Sequence, residues 1–526
     1  MESTRQCQAD GFLPTQCPLA RFCLTYNSSC CTSLPRSPRM AIEVRSAMLG
    51  IRRFRQNQAR SPAEGFGMTK AHDAGDESIL RAFVNHAREI SITPGHGGME
   101  AAKLLISDAV GVGLAGSITH ESQMILAAVQ TWGVGDEAHA WAGGTRLPAA
   151  LAAMVNGHQM HTLEFDAIHE PSVVHPMTVV FPATLAFMER AGKRGEKFTG
   201  KDLIRAVIVG VDIAAGLGVV TTTPLRFFRP ATAGALGAVA AITSATRASV
   251  EQAEAAMGVV YSQIAGTMQP HTEGAQVLAL QIGFNARAAI NAWDLALAGF
   301  RGPKKIFDGK YGYFGVIEGA GDPQALVEQL GKVWEVERTS IKPFPSGRAT
   351  HAALDGVLQL QQQHKFTVDD VLEVVAHVPP MVKGLVGRLP TIDMQVGTAR
   401  LCLAYLIPNA LIDGTITLHS YSEERLRNPQ IIEAAQRVSV VADSNPNPNA
   451  FDPQTIVVKL KDGTEHSITL PASLGSPSKP MSQNQLAEKF ARNLDAAGKS
   501  EVHDQLTELL NNLEDLDDVA QLIELL

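Results

Sequence analysis

Between Gly157 and Pro176 the chain reads GHQMHTLEFDAIHEPSVVHP, four histidines and three carboxylates set between segments that are otherwise apolar. Imidazoles titrate near neutrality and carboxylates orient them or share their protons. His158, His161, Glu164, Asp166, His169, Glu170 and His175 therefore offer a general base, a general acid and a partner for an anionic group. A hydrated helix-to-loop surface is the plainer reading of the same stretch. Such a face usually carries Lys and Glu, whereas this one is bounded by Met154, Val155 and the apolar run Val179 to Ala186. His158, His161 and Glu164 also stand at three-residue steps, with His169 or His175 to complete a set of zinc donors. Steps of three drift around a helix and no His-Glu-x-x-His pattern occurs, so no metal is expected.

A second cluster, SIKPFPSGRATHAALDGVLQL, runs from Ser340 to Leu360. Pro343 disfavours helix at Lys342, and Ser346 and Gly347 supply a turn and cap before the next helix. Lys342 and Arg348 then stand beside a helix N-terminus whose free amides already attract anions, with His351 in its first turn. The pattern suits a carboxylate grip; it equally describes a Pro/Gly junction with incidental basic residues. Facing a histidine-rich loop, such a junction is where substrate clefts form. No Walker phosphate loop and no strand-Gly-x-Gly-x-x-Gly-helix element is found, so neither ATP nor NAD is indicated.

The elements that must position these residues are mostly helices. SILRAFVNHAREI, MEAAKLLISDAVGVGLAG, ESQMILAAVQTWG, LPAALAAMVNGHQMH and PATLAFMERAG repeat apolar residues every three to four positions. Thr199 and Asp202 read as an N-cap and its partner before LIRAVIVGVDIAAGL, with further helices over 231–246, 250–265 and 282–298. From Trp334 the character changes: VLEVVAHV, RVSVVAD, TIVVKLKDG and EHSITLP are β-branched, the last two joined through Asp462-Gly463 as a hairpin. Helices are expected between them over 350–364 and 397–412, and the chain returns to helix after Pro480. The fold class is mainly α. An extension over 1–76 precedes a large all-helical domain over 77–333, a smaller α+β domain over 334–475, and C-terminal helices over 476–526 that rejoin the helical domain.

Composition narrows the partners. A net charge of −8 argues against nucleic acid, whose phosphates demand a basic surface, and an acidic substrate would need local cations. Cys7, Cys17, Cys23, Cys30 and Cys31 crowd the start and leave Cys402 alone in the body, so no disulfide framework is expected and the folded part suits a reducing compartment. Apolar stretches such as 206–220 are broken by glycine and Asp212, so no membrane span is expected. The first seventy residues carry ten basic against four acidic side chains, a net +6 that leaves −14 for the rest. An Arg-rich, acid-poor leader is a mitochondrial transit peptide, a disordered extension or a misassigned start, so the location is cytoplasmic or mitochondrial.

HTLEFDAIHEPSVVHPMTVVFPATLA, IKPFPSGRATHAALD and the late KLKDG hairpin together resemble the MmgE/PrpD family of 2-methylcitrate dehydratases and cis-aconitate decarboxylases, over nearly everything from Glu77 onward. The resemblance implies a helical domain with an α+β lid, a homodimer, and cofactor-independent chemistry on a citrate- or aconitate-like polycarboxylate between the domains. By it Glu164 falls at a catalytic-region acid, His175 at the His before the apolar helix, Lys342 at the lid-side lysine, and Asp166 and His169 at the intervening positions. Two elements depart. RFFRPATAGALGA puts Arg229 or Phe228 at a family histidine, and LALQIG puts Leu278 and Ala279 at a basic pair and Gln281 at a histidine. His271, Glu273 and Gln276 stand just upstream as replacements, and Arg229 is suited to bind a carboxylate bidentately. The expected roles are His175 as general acid/base, Glu164 and Asp166 as its orienters or proton partners, and Lys342, Arg348 and Arg229 as carboxylate ligands. The expected activity is a lyase, either decarboxylase or dehydratase. An epimerase abstracting a proton alpha to a carboxylate, or a catalytically inactive scaffold, are the alternatives.

Overall fold

Small side chains decide how closely the helices of this protein approach. The structure is a computed structural model and describes residues 78–526 except 94–95 and 448–449; the basic leader and its targeting reading lie outside the described residues. Helices Gly200–Val219 and Arg229–Thr246 pack so tightly that a Cβ on Gly237 would meet the Gly210 carbonyl oxygen at 2.4 Å. Ala149–His161 likewise crosses Val277–Leu297 where Gly157 faces Gly283 and Ala286. Any larger side chain there would force the helices apart. Around these four pack Gly97–Gly116, Met177–Lys193 and Val250–Tyr261, over a first core that runs from Leu80 to Ile341 and takes in Leu494 to Leu526.

Thr199 and Asp202 form the expected capping box. The helix expected to start at Pro182 begins earlier, at Met177, with Pro182 inside it. Burying Val179, Val180 and Phe181 offsets the one hydrogen bond that proline cannot donate. A helix expected from Gly397 to Ile412 is two, Val396–Ala399 and Leu403–Asp413, because the backbone at Cys402 extends to pair with Gly387. A short hairpin of β1 (Ala138–Ala140) and β2 (Thr145–Leu147) was not anticipated, since three residues carry no readable period.

The α+β part is a four-stranded sheet, β3 (Val371–Val378), β4 (Val438–Ala442), β5 (Gln454–Leu460) and β6 (Glu465–Leu470), in the order β4-β3-β5-β6. Only the β3–β4 pair is parallel. Gly463, at φ +89°, turns the expected β5–β6 hairpin. Alternate residues of β5 are buried, under the helix His351–His364. The second core spans Phe344 to Leu460 and includes one residue from far upstream, Val173. Among the described residues no single helix is long and apolar enough to cross a membrane.

Candidate active site

His161 ends the helix Ala149–His161, and His175 directly precedes Pro176, the cap of Met177–Lys193. Two helix ends thus fix two imidazoles, and the loop between them supplies the carboxylate that joins them. Asp166, fully buried, meets His161 Nδ1 through Oδ1 at 3.0 Å and His175 Nδ1 through Oδ2 at 2.5 Å. The rings lie 4.8 Å apart at 72°. With both Nδ1 atoms engaged, each ring keeps Nε2 as its free atom; that of His161 is buried, makes no hydrogen bond, and stands 3.5 Å from Glu164 Oε1.

The shared carboxylate sets the two rings differently. Burial disfavours charge on His161, but Asp166 and Glu164 outweigh it and raise the pKa, which favours the protonated ring. Burial dominates at His175 and, helped by Lys342, lowers its pKa against the pull of Asp166. Two imidazoles whose pKa values are pushed in opposite directions therefore share one aspartate. Burial would raise Asp166 too, yet His175, His161 and Lys342 hold it well below the ordinary carboxylate range.

The loop is held from outside at several points. Glu164 adopts φ +52° and Val173 φ +53°, a left-handed backbone that is costly for a β-branched residue and persists only where surroundings impose it. Lys342, fully buried, donates to the Glu164 carbonyl at 2.9 Å and to its Oε2 at 3.1 Å. Burial would raise the Glu164 carboxyl, but Lys342, then His161 and His175, lower it. Ile168 exchanges backbone bonds with Ser340 at 2.9 and 2.7 Å. From the far end of the chain, Lys489 on helix Gln483–Ala496 donates to the Phe165 carbonyl at 3.0 Å and pairs with Asp108 at 2.5 Å.

His161 and Glu164 face a cavity with two lobes. The first is the more polar of the two, with Glu121, Thr162, Gln276, Gln395 and Arg400 set among Leu278, Ala279, Val396 and Leu401. The second is mostly apolar and contains His175, His271 and Arg348 among Phe228, Met268, Leu225, Leu385 and Phe451.

Several residues singled out from sequence do not present their polar groups here. Arg229 is buried in a pair with Glu318 at 2.9 Å and donates to the Ser172 carbonyl at 2.6 Å, so it is not a carboxylate ligand; Phe228 beside it lines the cavity instead. Arg348 spends its guanidinium on Glu170 at 2.7 Å and on the carbonyls of Leu474 and Ser473. His351 is enclosed, against the Ser346 carbonyl at 3.2 Å, and burial keeps it neutral. His169 bridges Ser172 Oγ at 2.9 Å and Glu335 at 2.8 Å within the fold. Glu273 is exposed and bonded to Gln269, whereas His271 does face the cavity, its pKa lowered to about 4 by burial and Arg388. His158 binds Ser122 at 3.2 Å, apart from His161 and Glu164, so the donors weighed for zinc do not assemble; the close set is His161, Asp166 and His175.

Two cations went unread. Arg400 is buried at the polar lobe, bonded to the Thr162 carbonyl and stacked 5.1 Å from the Tyr421 ring, with Nε unpartnered. Nothing in GTARLC marks it. Lys489 did carry a signal, since it falls on the apolar stripe of its own helix with Leu486, Phe490 and Leu494.

Comparison with known proteins agrees with this architecture. The MmgE/PrpD N-terminal domain matches residues 82–326 and the MmgE/PrpD C-terminal domain residues 344–515. The chain is 28% identical over 440 residues to cis-aconitate decarboxylase of Mus musculus, covering 81% of this chain and 88% of that protein. It is likewise 28% identical to cis-aconitate decarboxylase of Homo sapiens (81% and 90% covered), and 23% identical to that of Aspergillus terreus strain NIH 2624 (81% and 91%). With both halves of the family matched in order across the helical and α+β parts, the chain belongs to the MmgE/PrpD family.

Proposed function

We propose that this protein is a cofactor-independent lyase acting on a citrate- or aconitate-like polycarboxylate, as a decarboxylase or a dehydratase. Its family and its decarboxylase relatives make it an enzyme of the lyase class. The observation that carries the reading is the buried His161–Asp166–His175 unit at the cavity, in which the surroundings favour the protonated form of His161 and the neutral form of His175. Elimination needs both forms at once. In dehydration, neutral His175 takes the proton beside a carboxylate while His161 gives its Nε2 proton to the departing hydroxide, releasing water. In decarboxylation, the carbon–carboxylate bond breaks, CO2 leaves with its two oxygens, and an imidazolium protonates the carbon that retains the electron pair. Arg400 anchors a substrate carboxylate in the polar lobe, assisted by Thr162 and Gln276. Arg400→Met should raise KM at least tenfold with a smaller change in kcat.

The same paired imidazoles suit a second reading, epimerisation, in which one ring removes and the other returns a proton alpha to a carboxylate. Incubating the protein with citrate, 2-methylcitrate and cis-aconitate separates the readings. Release of CO2 or water supports the lyase; deuterium uptake from solvent without elimination supports the epimerase. Silence toward all would leave an inactive scaffold. Within the same proposal the protein acts as a homodimer.

A further inference from the structure

Phe165 stands between Glu164 and Asp166 in the active-site loop, yet it lines neither lobe of the cavity that Glu164 faces. It borders a separate cavity of about 160 Å³, whose apolar wall is completed by Pro343, Pro345, Ile416 and Leu418. That is about the room one benzene ring takes. Helix Gln483–Ala496 closes the remaining side with Arg492, Asn493 and Ala496. Two features of this wall call for a ligand. Asn493 is 3% exposed, and its side-chain amide has no hydrogen-bond partner among the described residues. A buried amide left so is destabilising, and a group that accepts from its Nδ2 relieves it. The other cavity that Asn493 borders, about 40 Å³ beside Asp108, already carries a carboxylate and suits a water, not an anion. The second feature is one-sided charge. Arg492 and His419 stand exposed at the rim, neither side chain with a hydrogen-bond or ion-pair partner among the described residues, and no carboxylate lines the cavity. In a protein of net charge −8, such a place selects an anion.

We propose that this cavity is an effector site for a small monocarboxylic acid with a compact apolar body. The carboxylate accepts from Arg492 and from the Asn493 amide, while the ring or branched chain fills the space against Phe165, Pro343 and Pro345. Phe165 couples the site to the loop. Lys489 donates to the Phe165 carbonyl and stands 3.9 Å from the centre of its ring, so a filled cavity removes the space into which that ring could otherwise move. Binding therefore steadies the loop that carries Glu164 and Asp166. The inference does not rest on which reaction the active site catalyses.

The probe is benzoate, titrated calorimetrically into the full-length protein while hydrogen exchange of residues 162–176 is followed in parallel. Saturable binding at one site per chain and slower exchange across the loop are expected. Arg492 is exposed, so Arg492→Gln should keep the fold and weaken benzoate about fivefold. Asn493→Leu exchanges an unpartnered amide for an apolar side chain of similar size, so the melting temperature should hold or rise while benzoate binding falls. Ala496→Phe fills the cavity from the helix and should abolish binding and slow loop exchange with no ligand present. Benzamide or acetate binding as tightly as benzoate would overturn the assignment of a carboxylate with an apolar body. Benzoate that citrate displaces and that ignores all three substitutions would belong to the active-site cavity, and the new site would fall. Absence of saturable binding would mean that water alone satisfies Asn493, which overturns the site as well. Binding that leaves loop exchange unchanged would sustain the site and overturn its coupling to the loop.

Discussion

At the scale of the residue, the site rests on one carboxylate joining two imidazoles whose pKa values are pushed in opposite directions. If neutral His175 is the base and protonated His161 the acid, kcat/KM rises with pH through the lowered pKa of His175 and falls through the raised pKa of His161. The result is a plateau spanning the ordinary imidazole value near 6.5. His161→Gln should cut turnover and remove the alkaline limb while leaving the acid limb in place; an unchanged alkaline limb would take His161 out of the proton chemistry. His175→Ala should lower kcat by on the order of a hundredfold in a protein that still folds, as checked by steady-state kinetics beside a melting curve. His175, Glu164 and Asp166 were legible in the sequence because acid and base types crowd between apolar helices. The cations were not. Whether an arginine awaits a substrate or is consumed by the protein's own carboxylate depends on partners such as Glu318, 89 residues from Arg229, which no local pattern records.

At the scale of the element, helix types and the β5–β6 hairpin followed from periodicity and turn residues, whereas helix starts followed from burial that the period alone does not weigh. Met177–Lys193 runs through a proline because its buried face outweighs one missing bond, and the break at Cys402 comes from a bridge to Gly387 that lies in a different segment. The helix Gln483–Ala496 has a role its amphipathic pattern only half discloses: it delivers Lys489 to Asp108 and to the backbone of the active-site loop. Lys489→Met leaves Asp108 buried without its cation and should cost about 3 kcal/mol in urea unfolding. Adding Asp108→Leu should recover much of that stability, since a buried pair replaced by apolar groups is often neutral. Turnover should stay depressed in the double variant, because the Phe165 carbonyl still lacks its donor; full recovery of turnover would mean that the contact is structural only.

At the scale of the whole molecule, two cores meet along the loop from Thr162 to Pro176, and Val173 belongs to the second although its neighbours in sequence build the first. The proposed homodimer has an apolar surface at its disposal: Trp132 is 53% and Met124 50% exposed, and Arg287 of helix Val277–Leu297 lies 5.8 Å over the Trp132 ring. Light scattering should report about twice the mass of one chain, and Trp132→Glu should shift the population toward monomer; a wild-type monomer that turns over substrate would remove the dimer. The bond from Lys489 to Phe165 joins positions 324 residues apart. On a ribosome, the histidines and their aspartate emerge long before the lysine that steadies the loop between them. The helical part can begin to compact while its reactive groups are still loosely held, so the loop is steadied only once helix Gln483–Ala496 has left the tunnel, and a protease clipping that helix should silence the site without touching any residue that lines it.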